Sequence, residues 1–174
     1  PGEGAAAIAL SASAQYAPLS WARLLGCATA DEAVTHASPQ ACTGQGLTQA
    51  ARQAIDQARA LSPAKVGHLI ADLNGEPYRA DQFGFTALRL GPSLSPDWQR
   101  SVPALASGDL HSASALAHVA LAAYGQYRRP QTNHTLVLAS SDDTLRAAAV
   151  LGASQPIQNL PEIRAWRSPS TSTA

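Results

Sequence analysis

Lysine is almost missing from this chain. Of the 12 basic residues only Lys65 is not an arginine, and they are matched by 12 acidic ones, for a formal net charge of zero. No basic run exceeds Arg128-Arg129, which argues against a nucleic-acid or membrane-surface footprint. Long apolar runs are missing as well. No window approaches the ~20 continuous apolar residues that a membrane span requires, so a soluble protein is expected. The opening "PGEGAAAIALSAS" has neither an initiating Met nor a basic n-region, so it does not read as a signal peptide; so abrupt a start reads as that of a fragment or a cleaved product. Cysteine is scarce: Cys27 and Cys42 stand alone, and two cysteines in a chain with ample core are expected as buried thiols. The compartment expected is the cytoplasm, and no cofactor is implied.

What is present is alanine-rich apolar sequence, with 45% hydrophobic residues in 174. That is enough for one domain that buries roughly 70% of its unfolded surface. "AAAIALSAS" and "SWARLLGCATA" read as strands, both ambiguous with helix, and His36 to Gly46 reads as a loop. From 47 to 61, Leu47, Ala50, Ala51, Ala54, Ile55, Ala58 and Leu61 fall on one stripe at helical spacing, with Gln49, Arg52, Gln53, Asp56 and Arg59 away from it. This predicts an amphipathic helix ended by Pro63. "KVGHLIAD" follows as a strand, so "DLNGEP" lies at a strand's carboxyl end, where ligands bind in open α/β sheets. "YRADQFGFTALRL" predicts a second helix and "GPSLSPDW" a link. "LHSASALAHVALAAYGQYRR" predicts a helix apolar nearly all round, hence interior, with Leu110, Ala113, Leu116, Ala117, Ala120, Leu121 and Tyr124 as one face. "TLVLASS" and "TLRAAAVLG" around Asp142-Asp143 predict a terminal hairpin. Residues 153–174 have little with which to build a core and are expected as an extended tail.

Three segments together resemble the C-terminal half of the β-ketoacyl synthases, in the thiolase superfamily. "PGEGAAAIAL" is similar to the G-E-G-A-A-A strand that opens that half. "IADLNGEP" stands where the family has A-H-G-T-G-T-P: Ala71, Gly75 and Pro77 match, and Asp72 takes the place of the first catalytic His. "SGDLHSASALAHVAL" is similar to I-G-H-x-x-G-A-A-G-A: Gly108 and Ala113 match, and Asp109 takes the place of the second His. The thiolases proper are the runner-up, since "GDLHSASA" also resembles their G-H-P-x-G-A-S-G. The resemblance implies an α/β thiolase-like half spanning 1–152, a mixed five-stranded sheet with helices on both faces, one helix buried.

It also implies a lost chemistry. In the family two His N–H groups stabilise the anion that forms on the thioester, whereas ionised Asp72 and Asp109 offer acceptors and the wrong charge. The family Lys aligns with Ala104 and its Phe-Gly gate with Ser140 to Thr144, and no family-type nucleophile stretch occurs here. Cys27 and Cys42 do not replace it, since the family nucleophile lies in the first half at a helix N-terminus that lowers its pKa. Paired across one pocket, the two carboxylates would raise one pKa or recruit a cation. His111 and His118 could join Asp109 as metal ligands, but a clear third and fourth ligand are lacking; "GEG" lacks the rest of a dinucleotide fingerprint, and no G-x-S-x-G marks a hydrolase. Asp72, Asn74, Asp109 and His111 are the candidate binding residues.

The function expected is therefore a bacterial pseudoenzyme of this acyltransferase family, in a fatty acid or polyketide setting. It would act by assembly with a first thiolase-like half or a homologous subunit, with an acyl-carrier protein or acyl thioester as a further partner. The alternatives are a condensing enzyme whose nucleophilic Cys lies on another chain or an upstream segment, and an accessory protein of a bacterial secretion system.

Overall fold

A computed structural model describes residues 2–130 and 132–154 of the chain; the expected tail falls almost wholly outside the described residues. Five strands form one sheet in the order β1-β5-β4-β2-β3. They are β1 (Ala22–Asp31), β2 (Val66–Ile70), β3 (Leu94–Ser101), β4 (His134–Ser140) and β5 (Leu145–Ala153). β2 pairs parallel with both β3 and β4, while β5 runs antiparallel between β4 and β1. The sheet is thus mixed, with β5 alone reversed.

Helices α1 (Gln45–Leu61) and α2 (Pro77–Leu90) share one face. The α1 stripe is buried as its spacing predicts, from Leu47 through Ala50, Ala51, Ala54 and Ile55 to Ala58, and only Leu61 lies outside, exposed. Alanines let α1 sit very close to β1, and Gly26 completes the fit, because a Cβ there would stand 2.2 Å from the Ala54 carbonyl oxygen. The buried Glu32 carboxylate accepts from the Gly46 N–H at 2.9 Å, placing negative charge at the α1 N-terminus where the helix dipole favours it. The main core lies between these helices and the sheet, built on Leu69, Phe83, Leu90, Leu136, Leu138 and Val150.

The opposite face carries α4 (Ser114–Arg128), preceded by the single turn α3 (Ala104–Ser107). Helices on both faces were expected, but burial of α4 holds for one stripe only: Ser114, His118, Ala122 and Gln126. Ala122 packs with Ile70, Val137 and Leu151. Leu116, Leu121 and Tyr124, assigned to the packed face by the pattern, are nearly half exposed. With Ala on every side, the apolar pattern of α4 did not mark which stripe meets the sheet.

Two strand assignments are corrected. Residues 5–13, expected as a buried strand, are irregular and mostly exposed, since a run of Ala and Ser has little side-chain surface to hold it against a neighbour. The fifth strand comes instead from "LSPDWQRS", which begins within what read as a link and runs three residues past it. Pro96 is tolerated there because β3 pairs on one side only and an edge strand can lack an N–H donor. Cys42 is buried as expected, but Cys27 is exposed: it lies on edge strand β1 beside an open apolar groove with Val119, Val137 and Ala149.

Candidate functional site

The turn after β2 and the segment before α4 meet over the carboxyl ends of β2 and β4. They line a cleft of about 450 Å³ that holds Asp72, Asn74, Glu76, Arg79, Asp109, His111 and Asp142. All four candidate residues read from the sequence are there. Ala104, which the sequence resemblance sets in the place of the family Lys, opens α3.

Asp72 is not free in this cleft. Its Oδ2 accepts from Arg79 Nη1 at 2.6 Å and from the Ser140 N–H at 3.0 Å. Arg79 also donates from Nε to Glu76 at 3.0 Å, from Nη1 to the Ser140 carbonyl at 2.9 Å and from Nη2 to Asp142 at 2.9 Å. Burial works against this guanidinium, yet Asp72, Glu76 and Asp142 outweigh it and hold Arg79 above its ordinary pKa. Pro77 starts α2 where a missing N–H costs nothing, and the first turn of that helix carries Arg79 back over the strand end. The sequence reading missed Arg79. Its signal was local, an arginine three residues after Glu76 in the first helical turn.

Asp109 is held differently. Its Oδ2 accepts from Asn74 Nδ2 at 2.8 Å, and its Oδ1 accepts from the His111 N–H at 2.8 Å and the Ser114 hydroxyl at 3.3 Å. Desolvation pushes this carboxyl up, but the bonds from Asn74, His111 and Ser114 prevail and leave its pKa below the usual value of 3.8. Asn74 also accepts from the Glu76 N–H at 3.1 Å, closing the turn in which Gly75 takes φ of 98°. Asn74 therefore ties the first turn to the second. Facing carboxylates were expected to raise one pKa or recruit a cation; at Asp109 the shift runs the other way, toward the ionised form.

His111 is exposed, with Nδ1 3.9 Å from Asp109. His118 lies buried in α4, its Nδ1 without a partner. No group of three or more His, Cys, Asp or Glu among the described residues is arranged to hold a metal ion. Four carboxylates, from Asp72, Glu76, Asp109 and Asp142, face the cleft against the one Arg79 guanidinium. Such a lining presents acceptors and negative charge to a ligand.

Burial holds His68, His118 and His134 below their ordinary 6.5, and at His118 the charges of Asp72 and Asp109 oppose that only in part. A depressed histidine contributes its full stability above pH 6.5. As the pH falls through that value the unfolded chain takes up protons first, and stability is lost until the folded pKa is passed. Asp109 acts in a lower window, its contribution being present above 3.8 and lost below it. The urea midpoint is therefore expected to fall between about pH 7.5 and about pH 5, and to fall less in His118→Gln. A midpoint constant over that range would contradict this.

The sequence matches no family model and no curated protein. Solved structures share the fold. A type II polyketide synthase acyl-carrier protein in complex with its ketosynthase aligns at TM-score 0.65 and 16% identity, over 76% of this chain and 38% of that one. The ishigamide ketosynthase/chain length factor aligns at 0.59 and 20%, over 78% and 36%. An oxazolomycin ketosynthase domain from Streptomyces albus aligns at 0.64 and 14%, over 90% and 52%. The chain has a thiolase-like ketosynthase fold and spans from about a third to about half of these relatives. No helix among the described residues is long and apolar enough to cross a membrane.

Proposed function

We propose that this chain is a non-catalytic ketosynthase-like protein that works by assembly, as the C-terminal half of a thiolase-like pair over residues 1–152. The other half comes from a partner subunit or from a further segment of a longer chain. One observation carries this reading: the positions that match the family's donor histidines hold Asp72 and Asp109, each engaged as an acceptor by neighbouring N–H and O–H groups. Thioester condensation needs preorganised donors where negative charge develops, worth several kcal/mol in such sites. A lining of four carboxylates and one guanidinium opposes that charge. The backbone of the cleft is kept, and its chemistry is reversed.

The apolar groove between β1, β5 and the first turns of α4 supports assembly. It is lined by Ala115, Val119, Val137 and Ala149, next to the half-exposed Leu116, and contiguous exposed apolar surface marks interaction sites. Asn74, His111 and the two aspartates form the polar contacts for the partner or its ligand. Among the solved relatives one ketosynthase is complexed with an acyl-carrier protein, and a carrier-bound acyl group in the cytoplasm is the ligand class that fits this reading.

The test is turnover of malonyl- and acetyl-thioesters by the full chain, with Cys27→Ser and Cys42→Ser as controls. The rate is expected to equal that of buffer. Turnover abolished by either serine variant would move the nucleophile onto that cysteine and overturn the proposal. Turnover that survives both but disappears in Asp72→Asn would show a working carboxylate site instead.

A further inference from the structure

A second cavity, of about 420 Å³, opens on the α4 face of the sheet between β2, β3 and the second half of α4, and it shares no residue with the cleft. Ile70 packs with Ala122 on that face, and His68, two residues earlier in β2, points to the same side. Ser101 ends β3, with Ile70 beside it in the parallel ladder and its carbonyl accepting from the Ala71 N–H at 2.9 Å. The ladder thus fixes both backbones, and the two side chains meet: His68 Nε2 lies 2.8 Å from Ser101 Oγ. Both line the cavity, Ser101 exposed and His68 half-buried. The volume falls in the range of small-ligand sites.

The imidazole is in a state to accept a proton. Burial holds its pKa below 6.5, so the ring is neutral at physiological pH. With the ring proton on Nδ1, Nε2 is an acceptor and Ser101 donates to it. A hydroxyl in hydrogen-bond contact with an available base is the arrangement that activates serine as a nucleophile. The charged groups that share the cavity with His68 are Asp97 on β3 and Arg129 just after α4. Asp97 is engaged by the Ser95 hydroxyl, while Arg129 and Asn133 bring N–H donors to the cavity wall, the kind of group that a developing oxyanion requires.

We propose that Ser101 is an acyl acceptor, with His68 as its general base, for short polar acyl esters bound in this cavity. Ser101 Oγ adds to the ester carbonyl as its proton passes to His68 Nε2. The bond to the leaving alkoxide then breaks, and the alkoxide takes that proton and departs as the alcohol, leaving an acyl-serine and a neutral imidazole. Among the described residues no carboxylate is hydrogen-bonded behind His68, so the imidazolium formed in transit has no anion to hold it. That limits the pair to slow, largely stoichiometric acylation. The inference goes beyond the assembly reading, needs nothing from the cleft and leaves the expected lack of thioester turnover in place.

An ethoxy fluorophosphonate is the probe, since an activated serine displaces its fluoride. Mass spectrometry of the full chain is expected to find one adduct, on Ser101, formed at least about 100-fold faster than on a synthetic peptide of residues 97–105, the scale of general-base assistance. The adduct should be lost in Ser101→Ala and form at least about tenfold more slowly in His68→Gln, with the urea midpoint of that variant showing that it is folded. The parent chain provides a reading without any substitution. Its rate should change little between about pH 7 and about pH 9, where His68 is already neutral, whereas a serine without a base gains about tenfold per pH unit from hydroxide. Labelling at the peptide's rate, an adduct on another serine, or a rate untouched by His68→Gln would overturn the proposal. None of these outcomes bears on thioester turnover, which tests the cleft separately.

Discussion

Arg79→Met is expected to lower the folding stability by about 1–3 kcal/mol, the cost of leaving a largely desolvated carboxylate without its charged donor. Arg79 is 11% exposed and Asp72 13%, with 2.6 Å between them. Methionine fills much of the same volume, so the loss reports charge and hydrogen bonding rather than a cavity. Asp72 keeps only the Ser140 N–H, and the Ser140 carbonyl loses its donor from Arg79. Water in the cleft compensates only in part. The same argument predicts rescue: adding Asp72→Asn removes the stranded charge, and the double variant should recover at least half of the loss, a coupling that a double-mutant cycle reads directly. Asp142→Asn, at the exposed end of the network with 84% of its side chain in water, should cost only about 0–1 kcal/mol. Urea unfolding of the parent, Arg79→Met, Asp72→Asn, their double variant and Asp142→Asn provides the measurement. A loss below about 1 kcal/mol for Arg79→Met would mean that Asp72 is solvated and the network ornamental.

That network shows where sequence reading reaches its limit. The cleft was legible because the two segments that resemble family motifs, around Asp72 and Asp109, stand at the expected spacing from a recognisable helix and strand, and the structure brings both into one cleft. How each carboxylate is satisfied was not legible, because Arg79, Ser140 and Asp142 come from α2, the end of β4 and the following turn, and only the folded sheet brings them together. The fold divides along similar lines. α1 could be read residue by residue, since its polar positions interrupt the apolar stripe at a clear period. β2, β4 and β5 are short β-branched or apolar runs bounded by turns. β3 was hidden by Pro96 and its serines, which an edge strand tolerates, and the Ala-rich residues 5–13 looked like a strand because alanine carries little information about which structure it prefers. The outer face of α4 was misassigned for the same reason. Its register on the sheet is decided by buried polar residues, His118 and Gln126, that a hydrophobic pattern does not count.

Gly108→Val should be the second costly change, at roughly 3 kcal/mol, because this residue takes φ of 71° and ψ of 177°, a conformation open to glycine and strained for any other residue. A β-branched side chain is the least able to adopt it. The turn after α3 reverses at Gly108 and sets Asp109 facing Asn74, His111 and Ser114; this is one of the positions at which the sequence resembles the family motif. The Asp109 carbonyl accepts from the Gly2 N–H at 2.9 Å, so the amino-terminal segment is held against the same turn. Valine would relax by rotating the peptide, which moves Asp109 away from its three donors. Two readouts should therefore change together. Stability falls, and the acid-side contribution of Asp109, present above pH 3.8 and lost below it, disappears from the pH profile as its carboxyl returns toward the ordinary value. Gly84→Ala is the contrasting control: Gly84 lies inside α2 with nothing within 4 Å of an added Cβ, and alanine there should stabilise by about 0.5–1 kcal/mol. If Gly108→Val proved as stable as the parent chain, the turn would not need its glycine, and the match at this position would carry no structural meaning.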